Sequence, residues 1–152
     1  MNHINPITGN SLKRSGDYLI DFITEKEVAH IVNDIPRFIK NHQDYAQKFG
    51  YQWNKWNAVL SDSRNPKSGG AKHKLLVKRT CFEQFETNDK SILECGCGGG
   101  DDTEVLLGFG FGEIHSFDIS TAIERAKKFI SDTRVHFLQA SIFSNSICRS
   151  FV

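Results

Sequence analysis

The segment from Ile92 to Gly100 constrains the fold of this chain more than any other part of the sequence. It reads Ile-Leu-Glu-Cys-Gly-Cys-Gly-Gly-Gly, an apolar run followed by an acid and then by glycines at alternate positions. Glycine tolerates a positive φ and has no Cβ to keep a ligand away from the backbone. A helix-compatible stretch begins at Asp101, and a helix N-terminus presents unpaired N–H groups. The pattern predicts a strand that turns sharply into a helix beside a bound cofactor.

A second acid follows at the end of the next apolar stretch. Ile114-His115-Ser116-Phe117 leads directly into Asp118. In nucleotide-binding α/β folds, an acid at the tip of the second strand contacts the ribose. The two features together favour a cofactor site over a tight turn without a ligand.

The C-terminal part of the sequence alternates between strand and helix patterns. After the first strand we expect a helix over 102–107, a strand ending at Asp118, a helix after the N-cap residue Ser120, and a third strand over 135–139. This order predicts an α/β, Rossmann-like parallel sheet with right-handed crossovers. Such sheets have about five or six strands, so a partial sheet of three strands, truncated after the third, is the expectation. The outer edge of its first strand would be unpaired and open to self-association.

Composition divides the chain into three parts. Residues 1–40 read as a small N-terminal β segment, with short strands before and after a turn at Asn33-Asp34. Residues 41–90 form an aromatic and then basic lid or linker region, in which a helix is predicted over 72–85. Residues 91–152 form the N-terminal half of the Rossmann-like domain.

Overall composition is that of an ordinary globular chain. Hydrophobic residues make up 39%, charged residues 24%, and the net charge is +1. We therefore expect no nucleic-acid partner, and no apolar stretch approaches the roughly 20 residues of a membrane span. The four cysteines form neither a disulfide framework nor a zinc pair, so a cytoplasmic location and no bound metal are predicted.

A dinucleotide is the first cofactor to consider for the glycine loop. The fingerprint G-x-G-x-x-G/A needs a third small residue, but counting from Gly96 or Gly98 places Asp101 or Thr103 there. Carboxylates at Asp101 and Asp102 would also repel a pyrophosphate at the helix N-terminus. A cofactor without phosphates fits the loop better.

The run Glu94-Cys95-Gly96-Cys97-Gly98-Gly99-Gly100 resembles motif I of the class I S-adenosylmethionine-dependent methyltransferases, E/D-x-G-x-G-x-G. The resemblance implies S-adenosyl-L-methionine as the cofactor. It implies that Glu94 orients the methionine end of the cofactor, that Asp118 binds the ribose, and that Ser141 stands where the family often has an aspartate near the adenine. The cofactor-binding residues that it implies are Glu94, Gly96, Gly98, Gly100, Asp118, Ile119 and Ser141.

Upstream, Ile35-Pro36-Arg37-Phe38 and Phe49-Gly50-Tyr51-Gln52-Trp53 look like the I-P-R-F and F-G-x-Q-W segments of a bacterial methyltransferase subgroup. The resemblance places such segments over the cofactor or acceptor pocket, so it implies Tyr51 and Trp53 as candidate lid residues. The subgroup often carries a zinc ribbon at its N-terminus. Here Asn5-Pro6-Ile7-Thr8-Gly9 stands where a C-P-x-C-G knuckle would be, and no cysteine precedes Cys81. A tetrahedral zinc site needs four Cys or His ligands, so a degenerate, metal-free ribbon is predicted.

The resemblance implies methyl transfer to a small-molecule or sugar-like acceptor by a truncated chain. The family's acceptor-binding residues lie mainly beyond the third strand, so catalytic residues stay unassigned, as does catalysis by this chain itself. Two alternatives remain open. One is a catalytically inactive cofactor-binding fragment, and the other is an NAD(P)-binding oxidoreductase module.

Overall fold

The computed structural model describes residues 3–5, 7–39, 51, 55 and 70–143. These residues form seven strands, three α-helices and one short 3-10 helix. The strands are β1 (Leu12–Ser15), β2 (Tyr18–Asp21), β3 (Glu27–Val32), β4 (Ile35–Arg37), β5 (Ser91–Cys95), β6 (Glu113–Asp118) and β7 (Val135–Gln139). The helices are α1 (Ala71–Thr80), α2 (Asp101–Gly108) and α3 (Ala122–Phe129), and the 3-10 helix spans Phe82–Gln84. Within this part of the chain, no helix has the length and apolar character needed to cross a membrane.

All seven strands lie in one sheet, in the order β1-β2-β3-β4-β7-β6-β5. Strands β1 to β4 pair as an antiparallel meander, whereas β5, β6 and β7 pair in parallel. The two halves join where β4 runs parallel to β7, with Arg37 opposite Gln139. The Phe38 N–H donates to the Gln139 carbonyl at 2.8 Å. The N-terminal β segment therefore extends the parallel sheet rather than standing beside it.

The prediction of a three-stranded partial sheet was wrong in strand number. The sheet has seven strands because the N-terminal meander pairs with β7. That contact joins residues 102 apart in the sequence, and local patterning carries no information about such a partner. β1 was not predicted at all, because its sequence Leu-Lys-Arg-Ser has no apolar alternation.

The parallel half follows its sequence pattern closely. β7 has the predicted bounds, α2 is one residue longer at each end than the predicted 102–107, and α3 begins two residues after Ser120. The predicted turn at Asn33-Asp34 is present, with both residues at positive φ (53° and 58°). The helix predicted over 72–85 ends at Thr80, since Cys81 takes up a left-handed conformation (φ 55°).

The main core lies between α2, α3 and one face of the parallel strands. Its buried members include Ile114 on β6, Phe137 on β7 and Ile123 on α3. Ile35 of β4 belongs to the same cluster and is fully buried. Burial of one such side chain contributes about 2 kcal/mol, so the meander is held to the parallel half by packing as well as by backbone pairing.

β5 lies at the end of the sheet and, among the described strands, pairs only with β6. Self-association through this edge stays a prediction.

A buried carboxylate organises the N-terminal segment. The Asp21 side chain accepts hydrogen bonds from the side chains of Asn5 (2.6 Å), Thr8 (2.6 Å) and Asn10 (3.0 Å) and from the Thr24 backbone N–H (2.8 Å). These hydrogen bonds hold the pKa of Asp21 well below its ordinary value, and the bond from the Thr8 hydroxyl makes the largest contribution. Burial acts in the opposite direction.

This network occupies the place where the sequence resemblance would put a zinc knuckle. Asn5 and Thr8 stand at the two cysteine positions of the C-P-x-C-G pattern, and both donate to Asp21. Within the described residues, no group of His, Cys, Asp or Glu side chains is arranged to hold a metal ion. A carboxylate with several donors can join the same loops as a metal would, because charge-assisted hydrogen bonds are the strong ones.

We predict that Asp21→Asn lowers the melting temperature and the urea midpoint. The amide offers one oxygen instead of two and turns a donor toward Asn5 and Thr8. Since the native pKa of Asp21 is lowered, its stabilisation is present above the ordinary value of 3.8 and is lost as the pH falls through the native value. The matched control is Asp17→Asn, an exposed acid on the same meander. Equal midpoints for the two variants at pH 7 would contradict the prediction.

Candidate cofactor site

The carboxyl ends of β5, β6 and β7 surround a pocket of about 190 Å³. In open α/β sheets this edge is where ligands bind. The residues that line it are Cys95, Gly96, Phe117, Asp118, Ile119, Ala140, Ser141, Ile142 and Phe143. Four of the sequence-predicted residues, Gly96, Asp118, Ile119 and Ser141, therefore meet in one cavity. Glu94, Gly98 and Gly100 lie outside its lining.

The glycine loop turns away from β5 over the end of β6. The N–H groups of Gly96 and Cys97 both donate to the Phe117 carbonyl, at 2.8 and 3.0 Å. Gly96, Gly98 and Gly100 have positive φ values of 81°, 54° and 89°, a region that costs other residues about 1–2 kcal/mol. A Cβ on Gly96 would meet no atom within 4 Å, so its backbone faces open space beside the pocket.

The later glycines serve helix packing instead. A Cβ on Gly100 would lie 2.9 Å from Ile130 Cδ1 and 3.0 Å from Ala126 Cβ. A Cβ on Gly99 would lie 1.9 Å from Arg125 Nη1. These contacts let the start of α2 approach α3 closely. Only Gly96 of the loop therefore combines an open backbone with a place in the pocket lining.

Arg125 was missed by the sequence analysis. It lies among the apolar residues of α3 and is only 3% exposed. Its Nη1 is 3.5 Å from the Gly99 carbonyl and 3.9 Å from Asp101 Oδ1. The buried Asp101 at the start of α2 is its counter-charge, and the sequence gives no signal that separates Arg125 from the basic residues Lys127 and Lys128 on the same helix.

Asp118 closes the loop from the β6 side. Its Oδ2 accepts the Gly98 N–H at 2.8 Å, and its Oδ1 accepts the N–H and the hydroxyl of Ser120 at 2.8 and 2.7 Å. A carboxylate has about four acceptor positions. Donors among the described residues use three of them, and the position that they leave open is on Oδ2. Asp118 thus fixes the loop and keeps an acceptor for a ligand hydroxyl.

Glu94 is a partly buried acid beneath the loop. Its Oε2 accepts the hydroxyls of Thr103 and Ser116, both at 2.6 Å. Burial raises the pKa of Glu94, and the two hydroxyl bonds oppose that shift without cancelling it. The link to Thr103 also ties β5 to the first turn of α2. Ionisation of Glu94 is therefore less favourable in the folded chain than in the unfolded one.

Other candidate residues lie at the margin of the site or outside the described residues. The Ser141 hydroxyl accepts the Phe143 N–H at 3.2 Å and lines the pocket. Burial raises the pKa of the Cys97 thiol well above its ordinary value, which makes it a poor nucleophile at neutral pH. Tyr51 is 63% exposed, and Trp53 lies outside the described residues.

Comparison of the sequence with protein-family models and with curated proteins gives no match. Among solved structures, the fold is similar to an S-adenosylmethionine-dependent methyltransferase from Anabaena variabilis, at 23% identity and a TM-score of 0.45, over 72% of this chain and 43% of that one. It is also similar to an S-adenosylmethionine-dependent methyltransferase from Leishmania major, at 21% identity and a TM-score of 0.44, over 62% of this chain and 39% of that one. This chain spans about two fifths of the length of each. At these sequence identities and TM-scores, the function has to be inferred from the residues of the site.

We predict that alanine separates the roles of Gly96 and Gly100. Gly100→Ala should lower the free energy of unfolding by about 2–4 kcal/mol, because it adds a clash with α3 to the cost of positive φ. Gly96→Ala should cost about 1–2 kcal/mol, since its Cβ meets open space. Urea denaturation measures both, and a larger loss for Gly96→Ala would contradict the assignment.

We also predict that Glu94→Gln is at least as stable as the unaltered chain at pH 7. Glutamine keeps an oxygen to accept both hydroxyls, and it removes a charge that burial disfavours. Because the native pKa is raised, the unaltered chain loses stability as the pH rises from the ordinary value of 4.5 through the native value. The difference in stability between the variant and the unaltered chain should therefore become smaller toward pH 4.5. Thermal melts across this range measure it, and a variant that is less stable at pH 7 would refute the prediction.

Proposed function

We propose that this chain binds S-adenosyl-L-methionine at the glycine loop and forms part of a methyltransferase. The proposal rests on one observation: the open turn at Gly96 and the Asp118 carboxylate line the same pocket. The motif resemblance connects both residues with this cofactor. The two methyltransferase structures with a similar fold agree with the proposal but add no weight to it.

The pocket suits the adenosine part of the cofactor. Asp118 has an acceptor position left on Oδ2 for a ribose hydroxyl. Phe117, Ile119 and Ala140 supply apolar lining, against which a purine ring can pack. The Ser141 hydroxyl lies in the same lining and is a neutral partner for the adenine edge. A neutral partner makes a weaker hydrogen bond than the aspartate of the motif would.

The methionine part would lie along the Gly96 turn. There the exposed backbone has no side chain in the way, and the carboxylate of Glu94 lies on the same strand end. A buried negative charge attracts a cationic ligand group more strongly than an exposed one does. When bound, S-adenosylmethionine would supply the reactive methyl group on its sulfonium. The residues named here bind and orient the ligand, which is the main contribution of a protein to such a transfer.

The dinucleotide alternative fits the same residues less well. A pyrophosphate would need the N-terminus of α2, and the first turn of that helix carries Asp101, Asp102 and Glu104. Arg125 lies beside Asp101, but Asp102 is exposed at the helix start. Negative charge at this end opposes a phosphate ligand.

For the methyl acceptor we propose a small molecule or a sugar-like compound. This part of the proposal rests on the resemblance alone.

Calorimetric titration with S-adenosylhomocysteine, with NADH as the competing ligand, tests the proposal. We expect saturable binding of S-adenosylhomocysteine and none of NADH. Asp118→Ala should weaken binding by at least about tenfold, because it removes a charged acceptor and loosens the loop. The matched control is Asp102→Ala, which removes an exposed acid from the start of α2 and should bind as the unaltered chain does.

The outcomes separate the three candidate functions. Binding of NADH alone would overturn the methyltransferase proposal in favour of an oxidoreductase module. Binding of S-adenosylhomocysteine without methyl transfer to any acceptor in a panel of small molecules and sugars would leave a cofactor-binding fragment. A folded chain that binds neither ligand would refute cofactor binding at this site.

A further inference from the structure

We infer that Arg37 is a positioning residue for the cofactor pocket, although it lies on the N-terminal meander and not in the pocket lining. The inference rests on the proposed function, and it concerns how the pocket wall at Ile119 is held. Three links carry it: Arg37 to Gln139, Gln139 to Ile119, and Arg37 to Glu124.

The first link joins the two halves of the sheet through side chains. Arg37 is the last residue of β4 and lies opposite Gln139, the last residue of β7. Its Nη1 donates to Gln139 Oε1 at 2.5 Å, while the backbone beside it is tied by the bond from the Phe38 N–H to the Gln139 carbonyl. The guanidinium therefore fixes the rotamer of the Gln139 side chain, which is fully buried.

The second link reaches the pocket. Gln139 Nε2 donates to the Ile119 carbonyl at 3.1 Å. Ile119 lines the cavity and directly follows Asp118, whose Oδ1 is bonded to Ser120. The Gln139 amide thus holds the backbone immediately after the proposed ribose-binding acid. Because its Oε1 accepts from Arg37 and its Nε2 donates to Ile119, the Gln139 side chain supports the pocket wall rather than contacting a ligand.

The third link fixes the guanidinium itself. Arg37 Nη2 donates to Glu124 Oε1 at 2.5 Å, in the first turn of α3. The Arg37 side chain is 13% exposed, and its buried Nε has no hydrogen-bond partner among the described groups. Arginine's planar fork can reach a carboxylate and an amide at once in a fixed geometry. A lysine can reach one of them, but it cannot hold both in the same orientation.

The consequence is that the N-terminal meander contributes to ligand affinity without touching the ligand. If the Arg37–Gln139 link is broken, the Gln139 amide can rotate away from Ile119, and the loop that carries Asp118 and Ile119 loses a support. Ligands that contain adenosine should therefore bind more weakly, whether or not they carry the methionine end. A residue that only stabilised the fold would leave the hydrogen exchange of residues 118–120 in the folded chain unchanged.

The test uses two variants and one matched control. Arg37→Lys keeps the positive charge but breaks the fork. Gln139→Glu keeps an acceptor for Arg37 and replaces the donor to the Ile119 carbonyl by an acceptor, so it breaks the second link while the first is kept. Arg134→Lys is the control, because Arg134 makes a similar fork with Asp132 (2.8 and 3.0 Å) away from the pocket.

Affinities are measured by calorimetry for S-adenosylhomocysteine and for methylthioadenosine, which lacks the amino-acid end. Amide hydrogen exchange of residues 118–120 is measured without ligand. We expect Arg37→Lys and Gln139→Glu each to weaken both ligands by about tenfold, or about 1.4 kcal/mol, and to speed exchange at 118–120. Arg134→Lys should change neither. The double variant should bind no more weakly than the worse single one, since both substitutions act through the hydrogen bond from the Gln139 amide to the Ile119 carbonyl.

Unchanged affinity and unchanged exchange in Gln139→Glu would overturn the inference, even if Arg37→Lys failed to fold. Unchanged exchange with weaker binding would also overturn it, because the pocket wall would then not be what Arg37 positions. If the unaltered chain binds neither adenosine ligand, the proposed function fails. The exchange measurement then still decides separately whether Arg37 holds the loop.

Discussion

The site depends on one carbonyl group, that of Phe117, which accepts the N–H groups of both Gly96 and Cys97. This pair of bonds turns the chain off β5 and over the end of β6. The turn brings the Gly98 N–H to Asp118 at 2.8 Å and starts α2 where it can pack on α3. The loop is rich in glycine because Gly96, Gly98 and Gly100 have positive φ and because a Cβ on Gly100 would clash with α3.

Two acids, the buried Asp21 and the partly buried Glu94, illustrate different uses of a carboxylate. Asp21 accepts several hydrogen bonds in the N-terminal segment, and its lowered pKa means that its charge favours folding. Glu94 accepts two hydroxyls but has a raised pKa, because burial disfavours its charged form. Attraction of a cationic ligand is the use that the proposed function offers.

The strands of the meander and of the parallel half pair at Arg37 and Gln139. Packing of Ile35 into the main core and a backbone bond secure the junction. The Arg37 guanidinium donates to the Gln139 side chain, which in turn donates to the Ile119 carbonyl. A segment that the sequence presents as separate thus supports the wall of the pocket, and its removal is expected to affect binding as well as stability.

Local sequence patterns specify much of the parallel half of this structure. Glycine spacing, strand-end acids and periodic apolar residues predicted the bounds of β7, those of α2 to within one residue at each end, and the turn after β5, because these features depend on neighbours within a few residues. The motif resemblance implied Gly96, Asp118, Ile119 and Ser141, which line one pocket, and their role in binding a cofactor stays a prediction. Three other features arise from tertiary contacts: the meander joins β7, Arg125 is buried against Gly99, and Arg37 reaches Gln139. Those contacts link residues far apart in the chain, and their partners are chosen by packing and hydrogen-bond geometry that no local pattern records.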